Sequence, residues 1–358
     1  MKTFFSVFIF LWFATFSQAA DNAVSVYERV VLTEDTTWNG IVLVKGFVVV
    51  APQATLRIDP GTVVRFAAAG DQQLPGMVIQ GRIYAVGTQD KPITLTSDRQ
   101  KPGRGSWGGI VLVSTEKRNI LERCRIEYAE TAIEVRFSSV NLKAITIEQA
   151  QTALLSHDGV VQMISSTVAD SETGIEINNS EFDGKEITVS SCQRGLVLSK
   201  SAIALATFKI LNNKQTGLDA DECRIKISSG EFSDNMFGAR IKGGEGQITM
   251  SRFQRNKQTA LNLIGSRIKL QRCLFTDNSQ DAVRTEDGQA LLLNNAFKSN
   301  GGYNLYNAGL EPVNARLNWW GSTELSQIKQ KVNDTARNKN SGVVKVFPWL
   351  NEKPPLLP

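Results

Sequence analysis

A single histidine, His157, stands in the 358 residues, and cysteine is nearly as scarce, with Cys124, Cys192, Cys223 and Cys273. No two of these form a CxxC pair, which removes the usual zinc and dithiol redox motifs. Four thiols scattered through so long a chain are also too few for a disulfide scaffold. They read as buried thiols packed as small apolar groups. Long apolar runs are missing after residue 20, so no later segment spans a bilayer as a helix. The net charge is +5, yet no block of Lys and Arg is dense enough for a nucleic-acid arm. An anionic partner is allowed and not required. No Pro/Gly/Ser-rich linker divides the chain, which leaves two cores or one elongated core.

The first twenty residues carry one cation at Lys2, an apolar run from Phe4 to Phe16 and the small-residue ending Ser17-Gln-Ala19-Ala20. This is the pattern of an export signal cut near Ala19 or Ala20. The competing reading, an uncleaved anchor, needs a longer run, about 20 residues. No cysteine precedes Asp21, which argues against a lipid-anchored start. The expected location is the periplasm, the outer surface or the extracellular space.

Between residues 131 and 306 a variable, a small and an aliphatic residue recur together. The copies are Thr131-Ala-Ile, Thr152-Ala-Leu, Thr173-Gly-Ile, Arg194-Gly-Leu, Thr216-Gly-Leu, Phe237-Gly-Ala, Thr259-Ala-Leu, Asp281-Ala-Val and Tyr303-Asn-Leu, spaced by 21 or 22 residues. Such a period marks a solenoid whose coils cannot bury their faces alone. Around each copy, apolar and polar residues alternate, as in Ile175-Glu-Ile177 and Ile268-Lys-Leu270, which is the period of a strand with one buried face. Helical periodicity is missing there. The expected fold is therefore all-β, a single-stranded right-handed parallel β-helix. Coils stack about 4.8 Å apart, so equivalent residues lie above one another. Asn213, Asn256, Asn278 and Asn300, each three residues before a copy, predict an internal asparagine ladder, with Asp234 in the same place in the intervening coil. The recurring Gly and Ala predict close stacking.

The segments Ala54–Phe66, Val78–Thr88, Lys91–Thr94 and Ser106–Ile110 resemble the opening coils of bacterial right-handed β-helix repeat proteins of the pectin-lyase-like superfamily. Asn318-Trp-Trp-Gly321, the polar stretch ending at Asn333-Asp334, and Val346–Leu350 resemble its closing segment. The expected division is a signal at 1–20, a lead-in at 21–37, the β-helix at 38–317 and a cap at 318–358. In that cap Trp319 and Trp320 would cover the last coil, and Leu325–Val332 would form a short amphipathic helix. The resemblance implies an architecture more than an activity, since the family holds lyases, hydrolases, epimerases and adhesins.

The family's lyases need a cationic base beside Ca²⁺ held by carboxylates of neighbouring coils. The best acidic group here is Asp219, Asp221 and Glu222. The next coil sets Arg240 over Asp219 and Lys242 over Asp221, which predicts cross-strand charge pairs in place of a calcium site. Its hydrolases carry aspartates, a Gly-His-Gly and an Arg-Ile-Lys. Arg240-Ile-Lys242 matches the last, but Arg224-Ile-Lys226 and Arg267-Ile-Lys269 match it equally, so the tripeptide reads as common to this solenoid. His157, without the flanking glycine, reads as a surface turn residue. Gly103-Arg-Gly-Ser-Trp-Gly108 fits GxGxxG but leads into a strand, not a helix. As a loop it offers Lys101, Arg104 and Trp107 to an acidic sugar. No catalytic constellation and no cofactor are identified. The leading expectation is a protein that binds a polysaccharide or an envelope component, with ligand-contact candidates Lys101, Arg104, Trp107, Asp219, Asp221, Arg240 and Lys242. The alternatives are a lyase or hydrolase of an acidic polysaccharide, with Ca²⁺ in the lyase case, and a structural or adhesin role.

Overall fold

The computed structural model describes residues 24–68, 73–114 and 117–355. The expected export signal, Met1 to Ala20, lies outside the described residues. Period-two alternation does what it must: in Ser139–Lys143, Val140 and Leu142 point into the core while Ser139, Asn141 and Lys143 face out. Ala129–Arg136, Ser139–Lys143 and Thr146–Glu148 form three sides of one coil. Thr152–His157, Val160–Ile164 and Thr167–Ala169 lie on them in parallel, residue against residue. Repetition of this unit builds a right-handed parallel β-helix. Its three long faces are called here the first, second and third sheet in that chain order. Leu218 pairs with Ala239, as the repeat period requires.

Most corners turn on one residue with left-handed backbone. For one coil these are Asn179, Glu186 and Ser191, with φ between 46° and 58°. Such a residue costs about 1–2 kcal/mol without a glycine, and at many corners an asparagine or serine directly after it offsets the cost by bonding across coils. At the third-to-first corner this next residue is asparagine. Asn213, Asn235, Asn256 and Asn278 each donate Nδ2 to the Oδ1 of the asparagine one coil on, at 2.9–3.3 Å, ending at Asn300. Each ladder Oδ1 also accepts the backbone N–H of the residue one coil before it, as Asn256 does from Asn235 at 3.2 Å. Serines fill the same role at the other corners, where Ser180 and Ser201 accept from Gly159 and Ser180. Asn295 and Asn318 form a second, shorter asparagine ladder at the second-to-third corner.

Asp234 is not in the ladder. It is the left-handed corner residue, φ 60°, and Asn235 makes the rung. The connection from rung to first sheet is one residue shorter in this coil, so counting back three positions from Phe237 falls one short. Asp234 instead faces outward and takes a two-pronged bond from Arg255, at 2.9 and 2.8 Å. That guanidinium holds its carboxyl below the usual carboxylate range.

Inside the third sheet, Phe232, Phe253, Phe275, Phe297 and Trp320 stack with centroids 4.6–5.3 Å apart. Trp320 is buried and closes the column, while Trp319 is only half-buried and bridges to Ala296. The winding is longer than the expected boundaries. Val24–Leu32 already pairs with Ile41–Val50. Val332 and Val344 still pair with Leu305 and Val313, inside the closing segment. The helix there ends at Gln330, two residues earlier than its apolar spacing suggested, because Val332 returns to the first sheet. At the first-sheet small positions, a side chain on Gly195 or Gly238 would meet the next coil's carbonyl oxygen at 2.2 Å, which is the close stacking expected there.

Asn256→Ala leaves several buried partners unpaired and should lower stability by about 3 kcal/mol in urea titration. Asp234→Ala, at a half-exposed ion pair, should cost under about 1 kcal/mol. Because the folded pKa of Asp234 is depressed, its contribution is present at neutral pH. The gap between wild type and Asp234→Ala should close as the solution is acidified below about pH 4.

Candidate functional site

The first sheet spends its charges internally. Arg240 Nη1 lies 2.9 Å from Asp219 Oδ1, Lys242 Nζ lies 3.5 Å from Asp221 Oδ2, and Arg136 Nε lies 2.5 Å from Glu134 Oε1. The register Asp219↔Arg240 and Asp221↔Lys242 produces the first two. Each of these carboxylates already holds a cation. Glu222 is an exposed left-handed corner residue, φ 53°. Among the described residues, no three His, Cys, Asp or Glu side chains gather as metal ligands do.

The loop candidates separate. Lys101 is exposed. Arg104 spans to another coil, donating Nε and Nη2 to the Asp170 carbonyl at 3.0 and 2.7 Å. Trp107 is fully buried, stacked on Phe66 at 3.8 Å, with Nε1 donating to the Glu127 carbonyl at 2.7 Å. It is a packing residue and is out of reach of a surface ligand, because it stands at an inward position of the strand Trp107–Val113. His157 is not in a turn. It ends the strand Thr152–His157, between Arg136 and Asn178 of neighbouring coils.

The second sheet is arranged differently. Its outer face carries a groove of about 910 Å³. One coil supplies a floor: Ala202 and Ala204 point outward, and each offers only a methyl group. The preceding coil presents Glu181 and Asp183, and the following one Arg224 and Lys226. Beyond these come Glu245 and Gln247, then Arg267 and Lys269. Arg118 lies farther down the same groove. At the first-to-second corner it meets a depression of about 600 Å³ that shares Glu181, Ala202 and Arg224.

Among the described residues, none of the eight charged side chains lining this groove takes part in an ion pair. Five are cations and three are carboxylates. Cations held in register along a groove, with no internal partner, form a favourable surface for polyanions. Small apolar floors beside them suit the flat faces of sugar rings. The sequence signal for this face lies in Arg224-Ile-Lys226 and Arg267-Ile-Lys269, which fall on the second sheet two coils apart, whereas Arg240-Ile-Lys242 falls on the first and is paired.

The thiols offer no chemistry. All four cysteines are free and buried. Burial pushes Cys124 and Cys273 up to about 12 and Cys192 to about 11, and raises Cys223 as well. They therefore stay protonated and unreactive at neutral pH.

Residues 25–135 match the family described as pectate-lyase-like β-helix domain, and residues 194–318 match the right-handed β-helix region. The chain belongs to the right-handed β-helix proteins. Among solved structures, this β-helix protein is similar to a double mutant of the periplasmic alginate epimerase AlgG. The identity is 12%, with 88% of this chain and 76% of that one covered at a TM-score of 0.39. It is also similar to the A-module of the Azotobacter vinelandii mannuronan C-5 epimerase AlgE4, at 10% identity, covering 83% and 91%, with TM-score 0.46. A third is DFA-IIIase from Arthrobacter chlorophenolicus A6 in complex with GF2, at 11% identity, covering 84% and 89%, with TM-score 0.40. At these values the likeness is one of fold. No curated protein matches the sequence. No helix among the described residues is long and apolar enough to cross a membrane.

Incubated with a maleimide at about pH 8, the native protein should take up no label at Cys124, Cys192, Cys223 or Cys273. In concentrated guanidinium chloride all four should react, as mass spectrometry would show.

Proposed function

We propose that this protein is exported and binds an acidic polysaccharide along the outer face of its second sheet. The supporting observation is the contrast between faces. Among the described residues Arg224, Lys226, Arg267 and Lys269 take part in no ion pair, although Glu245 is the register neighbour of both arginines, while the first sheet's Arg240 and Lys242 are each bridged to an aspartate. The polymer's carboxylates or sulfates would complete the missing pairs, with guanidinium groups giving two-pronged contacts and lysines point charges. Ala202 and Ala204 would lie under a ring face. The signal-like residues 1–20 support export. Lys101 and the first-sheet residues Asp219, Asp221, Arg240 and Lys242 belong to faces whose charges are either isolated or paired, so they are at most peripheral contacts in this reading.

A hydrolytic reading has one observation in its favour, the carboxylates Glu181 and Asp183 within the groove, which among the described residues take part in no ion pair. They are adjacent outward positions of one strand, and glycoside hydrolysis by an acid and a base uses two carboxyls on opposite sides of the bond. Binding without turnover is therefore the favoured reading.

Titration of the full chain with an acidic polysaccharide of uronate type should show saturable binding that weakens as salt rises. Lys226→Glu with Lys269→Glu should weaken it by about tenfold or more, and Arg240→Gln should change it less than about twofold. Equal loss from the first-sheet variant, or none from the second-sheet pair, would contradict the assignment. Release of reducing ends that vanishes in Asp183→Asn would favour hydrolysis instead.

A further inference from the structure

Resting on that reading of the groove, we propose that the second sheet measures charge spacing. It would select acidic polysaccharides charged on every second ring and disfavour those charged on every ring.

The columns carry this alternation. Along one outer column the register runs Arg224, Glu245, Arg267, and along its neighbour Lys226, Gln247, Lys269. Each column thus carries two cations, two coils apart, with Ala202 and Ala204 on the coil before them and Gln289 and Leu291 on the coil after. Coils rise by about 4.8 Å, so the two cationic pairs stand ~9.6 Å apart, and Glu245 lies halfway. In an extended chain a pyranose ring is close in length to the coil rise of about 4.8 Å. A polymer lying along the axis thus presents successive rings to successive coils. If every second ring is charged, anions meet Arg224 with Lys226, then Arg267 with Lys269, and a neutral ring sits over Glu245 and Gln247. If every ring is charged, one anion in two faces the Glu245 carboxylate.

The pattern runs over the three coils from Arg224 to Arg267; two coils before Arg224 the same columns present Glu181 and Asp183, so the charged rings are matched from Arg224 onward only. Glu245, Arg224 and Arg267 are exposed and none is in an ion pair among the described residues. Between Glu245 and Gln247, Gly246 fills the alternate strand position, where a side chain would collide with the Ile225 carbonyl oxygen at 1.9 Å. The Glu245 coil thus packs against the Arg224 coil without an intervening side chain at that position. Duplex DNA, with a phosphate about every 3.4 Å along each strand, does not share the two-coil period.

The test uses the full chain and two probes of matched length. Hyaluronan has a uronate on alternate rings, and polymannuronate has one on every ring. Affinity per charge should favour hyaluronan by about fivefold, the effect of one like charge at about 5 Å near a wet surface. Glu245→Gln, at an exposed position, should remove most of that preference by strengthening polymannuronate binding, with an unchanged melting curve. Equal affinity for the two polymers, or a preference untouched by Glu245→Gln, overturns the spacing rule while leaving the groove as a polyanion site. Binding of neither polymer overturns the groove reading and this inference together. Duplex DNA binding more tightly than hyaluronan also overturns the inference.

Discussion

Stacking of each coil on the next through hydrogen-bonded corner residues is the constraint on which the rest of this molecule depends. At most corners the chain turns on a non-glycine residue in left-handed conformation, a geometry unfavourable in isolation, with Gly243, Gly244 and Gly265 as exceptions on the first-to-second corner. Where the next residue is asparagine or serine, as at Asn213, Asn235, Asn256 and Ser201, that side chain satisfies backbone groups of the adjoining coil. A left-handed residue followed by a bonded rung therefore acts as one unit. Slipping one coil by a single residue would break a rung and turn every outward side chain inward. Register is consequently fixed over the length of the solenoid, and with it the identity of each vertical neighbour.

Fixed register converts a linear pattern of charges into columns. On the first sheet it sets Asp219 under Arg240 and Asp221 under Lys242, and the charges cancel locally. On the second sheet it sets Arg224 under Glu245 and Lys226 under Gln247, and among the described residues none of these four side chains is in an ion pair. The same Arg-Ile-Lys tripeptide is thus inert on one face and available on another. Half-exposed pairs of the first kind contribute little to stability. The second kind is costly only in mutual repulsion, which a polyanion would relieve. The interior columns are independent of both, since Phe232 to Phe297 and the closing Trp320 stack behind the third sheet.

The period of 21 or 22 residues made the fold legible in the sequence, because a repeating small-aliphatic pair has no other economical packing. The first-sheet charge pairs followed from the same period. Site residues were less legible for physical reasons. Trp107 and an exposed aromatic look alike in a loop-like sequence, and only the strand's phase buries the ring against Phe66. Asp234 and Asn235 are both acceptable turn residues, and a connection shortened by one residue decided which became the rung. The second-sheet groove depends on two absences, of bulk at Ala202 and Ala204 and of partners for the cations. Such absences are visible only once the vertical neighbours are known.

Vertical neighbours can be measured directly by cross-linking. Lys226 and Gln247 are paired outward residues of adjacent coils, at about the Cα separation a disulfide tolerates. Lys226→Cys with Gln247→Cys should oxidise readily to an intramolecular disulfide, undisturbed by the four buried native thiols. Lys226→Cys with Lys242→Cys, on different sheets, should remain reduced. A cross-link in the second pair and none in the first would contradict the stacking from which the charge columns, the ladder and the groove all follow.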